Sequence, residues 1–275
     1  MLDVASSVAS STLTKHAIRW VAMTYLLFLL VLPLGVIVWR TFESGLGPVI
    51  TSLTSVEALH AFQVTAIVAV LSVIANTVFG VGAAVLLVRH SFPGKRLLNA
   101  LIDLPLAVSP VVVGLALILV YGTFSPAGGW LTDHGIEIIF STPGMVMATI
   151  FVSLPLVVRA VAPVLEEIGI EQEQAAWTLG ARSFVTFRRI TLPAIRWALA
   201  YGIVLALARS LGEYGAVAVV SGRLVGQTQT LTLLVEERFQ NFDPITAYSA
   251  SFVLALVAVI ILLTIKLLRP KGDVS

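Results

Sequence analysis

The sequence predicts an all-α polytopic membrane protein, a bundle of six transmembrane helices. Three observations lead there. The 275-residue chain is 58% hydrophobic and only 12% charged, whereas soluble domains carry about 25% charged residues. Its mean hydropathy is +0.99. Its apolar residues gather into six runs, each close to or above the ~20 residues a helix needs to cross the hydrocarbon. The formal charge of +2 gives nucleic-acid binding no electrostatic support. Cysteine is absent, so disulfides, thiolate metal sites and cysteine nucleophiles are excluded. His16, His60, His90 and His134 are scattered without a ligand spacing, and neither a metal nor a cofactor is expected.

The first span is read at residues 18–39, with Trp20 and Trp39 at the two interfaces and a kink at Pro33. The length of its apolar run, and the lack of a small-residue cleavage pattern after it, favour a span over a signal peptide. The second span covers 61–88, interrupted only by Gln63, Asn76 and small residues. The others are read at 98–121, 144–164, 194–221 and 248–268. Between them, 122–143 and 222–244 are too short for an independent domain. The first holds a turn signal, Ser125-Pro126-Ala127-Gly128-Gly129.

Positive charge sets the sidedness. With the N-terminus inside, the outer segments hold only Arg40, Arg223 and Arg238, and Arg209 falls within a span. The remaining basic residues, among them Arg89, Lys95, Arg96, Arg159, Arg182, Arg188, Arg189, Lys266, Arg269 and Lys271, fall inside. Both termini are therefore expected in the cytoplasm.

The long polar loop between the fourth and fifth spans, 164–193, then lies in the cytoplasm. From 165 to 179 its apolar residues follow helical spacing, and Gly180 stands where a helix end needs a positive φ. Ser183 is read as the cap of a second short helix with Phe184, Phe187 and Ile190 on one face. Pro193 suits the first turn of the next span. On this pattern alone the unit is either a gripping point for a cytoplasmic partner or a plain connecting turn.

Gln174-Ala175-Ala176, then Gly180, then Ile190-x-Leu192-Pro193 resembles the EAA loop of ABC-importer permeases, with Gln174 where that family usually has Glu, and Glu173 just before it. The resemblance implies that Glu173, Gln174, Ala175, Ala176, Gly180, Leu192 and Pro193 couple the chain to a cytoplasmic ATPase. It implies the type I permease fold across 57–268, after an N-terminal segment at 1–56 and before a tail at 269–275. A second stretch, Ala208-Arg209-Ser210-Leu211-Gly212-Glu213-Tyr214-Gly215, looks like the fifth span of oxyanion permeases. Residues 226–233 (GQTQTLTL) and 102–114 (IDLPLAVSPVVVG) are similar to the sulfate/thiosulfate branch, most of all to its W-type (CysW-type) subunits.

The implied machine is an ATP-driven importer in the cytoplasmic (inner) membrane. This chain and a homologous T subunit would line one path. Two copies of an ATPase would dock beneath, a sulfate/thiosulfate-binding protein would deliver from outside, and lipid would surround the spans. The chain has no GxxxxGK[ST] loop, so ATP hydrolysis falls to a partner. A molybdate or tungstate permease is the alternative within transport. A membrane-embedded enzyme would need more than the one Arg and one Glu that the span interiors offer. A passive channel would not need the loop.

Arg209 and Glu213, four residues apart, are read on one face of the fifth span. Each would cost about 2.5–3.5 kcal/mol against lipid, so both should face the bundle or water. They are either a structural ion pair or, with Ser210, Gly212 and Gly215, part of the translocation path. Asp103 is read near the start of the third span, as a cap, a partner of Lys95 or Arg96, or a gating residue.

Overall fold

The computed structural model describes residues 2–268, with side chains from 14 to 264. The tail at 269–275 and the basic residues Lys266, Arg269 and Lys271 lie outside the described side chains. The described residues form helices α1 (Leu2–Leu26), α2 (Leu32–Phe42), α3 (Leu46–Leu53), α4 (Val56–Arg89), α5 (Lys95–Ala107), α6 (Pro110–Tyr121), α7 (Pro126–Asp133) and α8 (Thr142–Ile168). There follow α9 (Glu171–Thr178), α10 (Ser183–Thr186), α11 (Leu192–Leu211), α12 (Gly215–Val220), α13 (Leu231–Gln240) and α14 (Pro244–Leu268). Five helical stretches are long and apolar enough to cross a membrane, six if the bent pair α5–α6 counts as one.

Two of these stretches carry a π-turn at the same sequence position. Leu27–Val31 precedes Leu32-Pro33, and Phe187–Thr191 precedes Leu192-Pro193. Proline lacks an N–H and its ring clashes with the carbonyl four residues back. A π-turn, closed by Leu32 N–H to Leu27 O and by Leu192 N–H to Phe187 O, absorbs the extra residue without ending the helix. At Pro33, where a kink is expected, the π-turn keeps the stretch helical from Thr14 to Phe42. Pro193 falls in the first turn of α11 as expected, and the π-turn joins that helix to the turn ahead of it, so the chain is helical from Ser183 to Leu211.

Helices α4, α8 and α11 make the centre. Val81, Ala84 and Leu87 of α4 pack with Val157, Val158, Val161 and Leu165 of α8 and with Ile195 and Ala206 of α11. Gly80 and Gly202 flank Val157, and a Cβ on Gly80 would come within 2.9 Å of that valine. Such small residues let membrane helices approach closely. Helix α4 runs 34 residues, about 51 Å at 1.5 Å per residue, longer than the hydrocarbon is thick. Ser55 caps it by accepting a hydrogen bond from Ala58 N–H at 3.2 Å. By contrast, residues 14–36 of the first span are exposed throughout. Only its end meets the bundle, where the Thr41 hydroxyl donates to the Tyr248 carbonyl at 3.0 Å.

Two expected spans are not single helices. The third bends by 115° between α5 and α6, because Ser109 is extended (ψ 133°) ahead of Pro110. The fifth stops at Leu211 and resumes as α12 at Gly215. Helix α12 packs on α6 through glycines: Gly114 sits under Val219, and Gly215 under Pro110. The turn expected at 125–129 is instead the start of α7, where Ser125 Oγ accepts from Gly128 N–H at 2.8 Å.

Candidate functional site

Helix α8 ends at Gly169 (φ +64°), so the expected helix over 165–179 is split in two. Helix α9 ends at Gly180 (φ +83°) in a Schellman pattern: Gly180 N–H donates to Trp177 O and Ala181 N–H to Ala176 O, each at 3.0 Å. Arg182, not Ser183, is the cap residue of the next helix. The unit is a short helix, a left-handed glycine and a long helix that enters the bundle.

Glu173 fixes this unit from beneath. Its side chain is 8% exposed and pairs with Arg89, 9% exposed, at the end of α4. Arg89 Nε is 3.1 Å from Glu173 Oε2 and Nη2 is 3.2 Å from Oε1. The same guanidinium donates to the Leu165 carbonyl at 2.9 Å and the Gly169 carbonyl at 2.7 Å, near the end of α8. The Thr191 hydroxyl donates to Glu173 Oε1 at 2.8 Å. One buried ion pair thus joins α4, α8, α9 and the π-turn ahead of α11.

The opposite side of the loop is open. Gln174 and Ala175 are exposed, as are Trp177, Leu179 (88%) and Phe184 (72%). Trp177, Leu179 and Phe184 are large apolar side chains left in the open, which the sequence reading did not assign to the coupling site. The signal for them was large apolar residues within a polar segment. Leu192 is half-buried and Pro193 exposed.

The charges of the fifth span also meet, but differently from expectation. Arg209 Nη1 lies 2.7 Å from Glu213 Oε2, with side-chain exposures of 38% and 2%. Arg209 is in the last turn of α11, while Glu213 lies beyond it in the break before α12. There Glu213 Oε1 accepts from Ala216 N–H at 2.9 Å, satisfying an amide at the start of α12. The Glu213 carbonyl accepts from the Thr232 hydroxyl at 3.0 Å. Ser210 is buried and turned toward Ser153, which also accepts from Asn76 Nδ2 at 2.7 Å. Gly212 is exposed, and Gly215 packs on Pro110.

Asp103 lies well inside α5 and pairs with Arg159 of α8, not with Lys95 or Arg96. Arg159 Nε donates to Asp103 Oδ1 at 2.8 Å, and Arg159 Nη2 to Asn99 Oδ1 at 3.0 Å.

Residues 76–271, from the middle of α4 past the end of α14, match the family described as "Binding-protein-dependent transport system inner membrane component". The chain belongs to this family. Membership makes it a membrane transport component rather than an enzyme. Among its relatives, the sulfate transport system permease protein CysW of Synechocystis is 46% identical over 94% of this chain and 93% of its own. CysW of Escherichia coli K12 is 46% identical over 86% of this chain and 81% of its own. CysT of Synechocystis is 37% identical over 93% of this chain and 90% of its own. A chain of a bacterial alginate ABC transporter, solved with an alginate-bound periplasmic protein, superposes with a TM-score of 0.76 at 17% identity over 93% of each chain. That likeness shows that this chain has the fold of an ABC-importer permease.

Proposed function

We propose that this chain is the W-type membrane subunit of an ATP-driven importer of sulfate, with thiosulfate as a second substrate. The observation that carries the reading is the 46% identity to CysW over nearly the whole chain, set against 37% to CysT. The difference supports a heterodimer in which this chain takes the W place and a T-type chain the other.

The loop gives the reading a mechanism. Two ATPase copies sit on the cytoplasmic side, one beneath each permease chain, and this chain's contact is the surface of Trp177, Leu179 and Phe184. Their closure pushes α9. Because Glu173 is held by Arg89 and Thr191, the push reaches α4 and α11 together. The excess of Lys and Arg at the loop end supports a cytoplasmic location for that end and for both termini. A binding protein outside supplies the anion.

An energy source is required. Moving a dianion inward against an inside-negative potential costs about 4.6 kcal/mol per 100 mV, twice the ~2.3 kcal/mol for one charge. Arg209 offers positive potential on the partly exposed side of α11, while Glu213 tempers it so that the anion is not trapped.

The test is uptake of labelled sulfate and molybdate by cells that lack this chain. Loss of sulfate uptake, restored by the chain, is expected. Loss of molybdate uptake alone overturns the substrate.

A further inference from the structure

Arg209 and Glu213 belong to two different bodies of the bundle. Arg209 lies in the last turn of α11, so it moves with that helix. Glu213 lies past the helix end, and its backbone is held from elsewhere: its carbonyl accepts from the Thr232 hydroxyl at 3.0 Å. That hydroxyl has one proton, and the proton goes to Glu213. In the 3.1 Å contact between Thr230 Oγ1 and Thr232 Oγ1, Thr230 is therefore the donor. Both threonines fall in the segment 226–233, which is non-helical up to Thr230 and whose buried backbone must find partners within the protein.

Helix α4 supplies the anchor. Leu231 is the first residue of α13, so its N–H has no partner within that helix. Thr65 of α4, 7% exposed, accepts from it at 2.8 Å and donates its own proton to the Ala61 carbonyl at 2.8 Å. Residues 230–232 are thus fastened on one side to α4 and on the other to Glu213. Helix α4 has no proline and runs unbroken from Val56 to Arg89. Thr65 and Arg89 stand roughly 36 Å apart along it at 1.5 Å per residue. Arg89, at one end of this continuous helix, grips Glu173 in the polar loop, while Thr65, near the other, holds the segment that grips Glu213.

The consequence is geometric. The 2.7 Å ion pair bridges α11, which carries Arg209, and a backbone tied to α4, which carries Glu213. Sliding of one helix against the other lengthens the pair, and Coulomb attraction falls with distance. Arg209, already 38% exposed, then presents more of its charge on its open side.

We propose that Thr65 and Thr232 are positioning residues of transport: they carry the displacement of the polar loop along α4 to Glu213, and so set how far Glu213 masks Arg209 from the anion. This rests on the transport reading above. Both helices take up the push at the loop, α4 through Arg89 and α11 through Thr191, and the ion pair at the far end responds to the difference between them.

The experiment uses the complex of this chain with its companion chains and binding protein in proteoliposomes, with sulfate uptake and ATP hydrolysis measured side by side. Thr232→Val keeps the shape of the side chain and removes the hydroxyl. It should lower sulfate uptake about five- to tenfold, the effect of one hydrogen bond, with ATP hydrolysis near wild type. Thr232→Ser should restore uptake. Thr65→Val should act as Thr232→Val does, and Thr65→Ser should not. Thr264→Val, whose hydroxyl bonds its own helix at Ile260, is the control and should transport as wild type does.

A double-variant cycle separates positioning from packing. In Arg209→Gln no charge is left to mask, so adding Thr232→Val should cause no further loss of uptake. Additive losses would mean that Thr232 merely satisfies a carbonyl, and would overturn the proposal. Thr230→Val, which removes the donor to Thr232, gives the same cycle with a smaller loss where Thr232→Val does not assemble. Failure of both to assemble would make the threonines structural and overturn the positioning role. Absence of sulfate uptake by wild type would sink the transport reading and this proposal with it. Unimpaired uptake by Thr232→Val beside an active wild type sinks the proposal alone.

Discussion

Arg89 and Glu173, 84 residues apart in sequence, form one buried ion pair that fastens the polar loop to the end of α4. Arg89 also holds two carbonyls near the α8 terminus, and Glu173 accepts from Thr191. Neither partner is dispensable, because removing one leaves the other charge buried alone. That typically costs about 3–5 kcal/mol. Arg89→Ala or Glu173→Ala should therefore free α9 from the bundle. Hydrogen exchange across 169–182 should rise, and sulfate uptake should fall more steeply than ATP hydrolysis by the complex. Unchanged exchange in either variant would show that the pair does not hold the loop.

Gly180 separates backbone strain from crowding. A Cβ there would meet nothing within 4 Å, yet its φ is +83°. A β-branched residue should cost roughly 1–2 kcal/mol from the left-handed backbone alone. Asparagine, which tolerates that region, should cost less. Gly180→Val is thus expected to reduce ATPase recruitment to membranes, with Gly180→Asn near wild type. Equal recruitment by both variants would mean that the turn's geometry is not what the ATPase reads.

Leu179 and Phe184 are exposed in the single chain, so replacing them should not touch its own packing. Leu179→Asp and Phe184→Asp are expected to leave the stability of the chain in detergent, followed by its thermal unfolding, unchanged within the roughly 0.5 kcal/mol usual for surface positions. Co-purification of the ATPase should be lost. Retained co-purification would move the docking surface elsewhere.

The spans were legible because hydropathy over twenty residues is a strong, local signal. The loop glycine was legible for a similar reason, since a helix end requires a particular backbone. What escaped depends on residues far apart in sequence. Nothing near Glu173 announces Arg89, so Glu173 read as part of the docking surface when it faces inward. Asp103 had two basic residues on its own helix, and the structure pairs it with one 56 residues away. The bend of the third span was missed for a different reason. Ser109-Pro110 lies inside an apolar run, where mean hydropathy hides a change of direction, whereas the break of the fifth span is marked by two glycines, Gly212 and Gly215. Proline itself was ambiguous: Pro33 and Pro193 leave their helices continuous through a π-turn, whereas Pro110 starts a new one.

Arg209 and Glu213 should respond unequally to neutralisation. Glu213 is enclosed and serves two neighbours, accepting from Ala216 N–H through Oε1 and meeting Arg209 through Oε2. Arg209 is over a third exposed and has Glu213 as its ion-pair partner. Glu213→Gln keeps an acceptor for the α12 amide, so it should assemble, whereas Glu213→Ala leaves that amide without its partner and should lower the yield of assembled complex. Such a loss is typical of a missing cap, about 0.5–2 kcal/mol. In Arg209→Gln the side-chain amide can still donate to the Glu213 carboxylate, so assembly should be preserved. Its uptake of sulfate should fall because the positive potential on α11 is gone. Measured together, yield of the assembled complex and rate of sulfate uptake separate the two roles. Wild-type uptake in Arg209→Gln would confine the pair to structure.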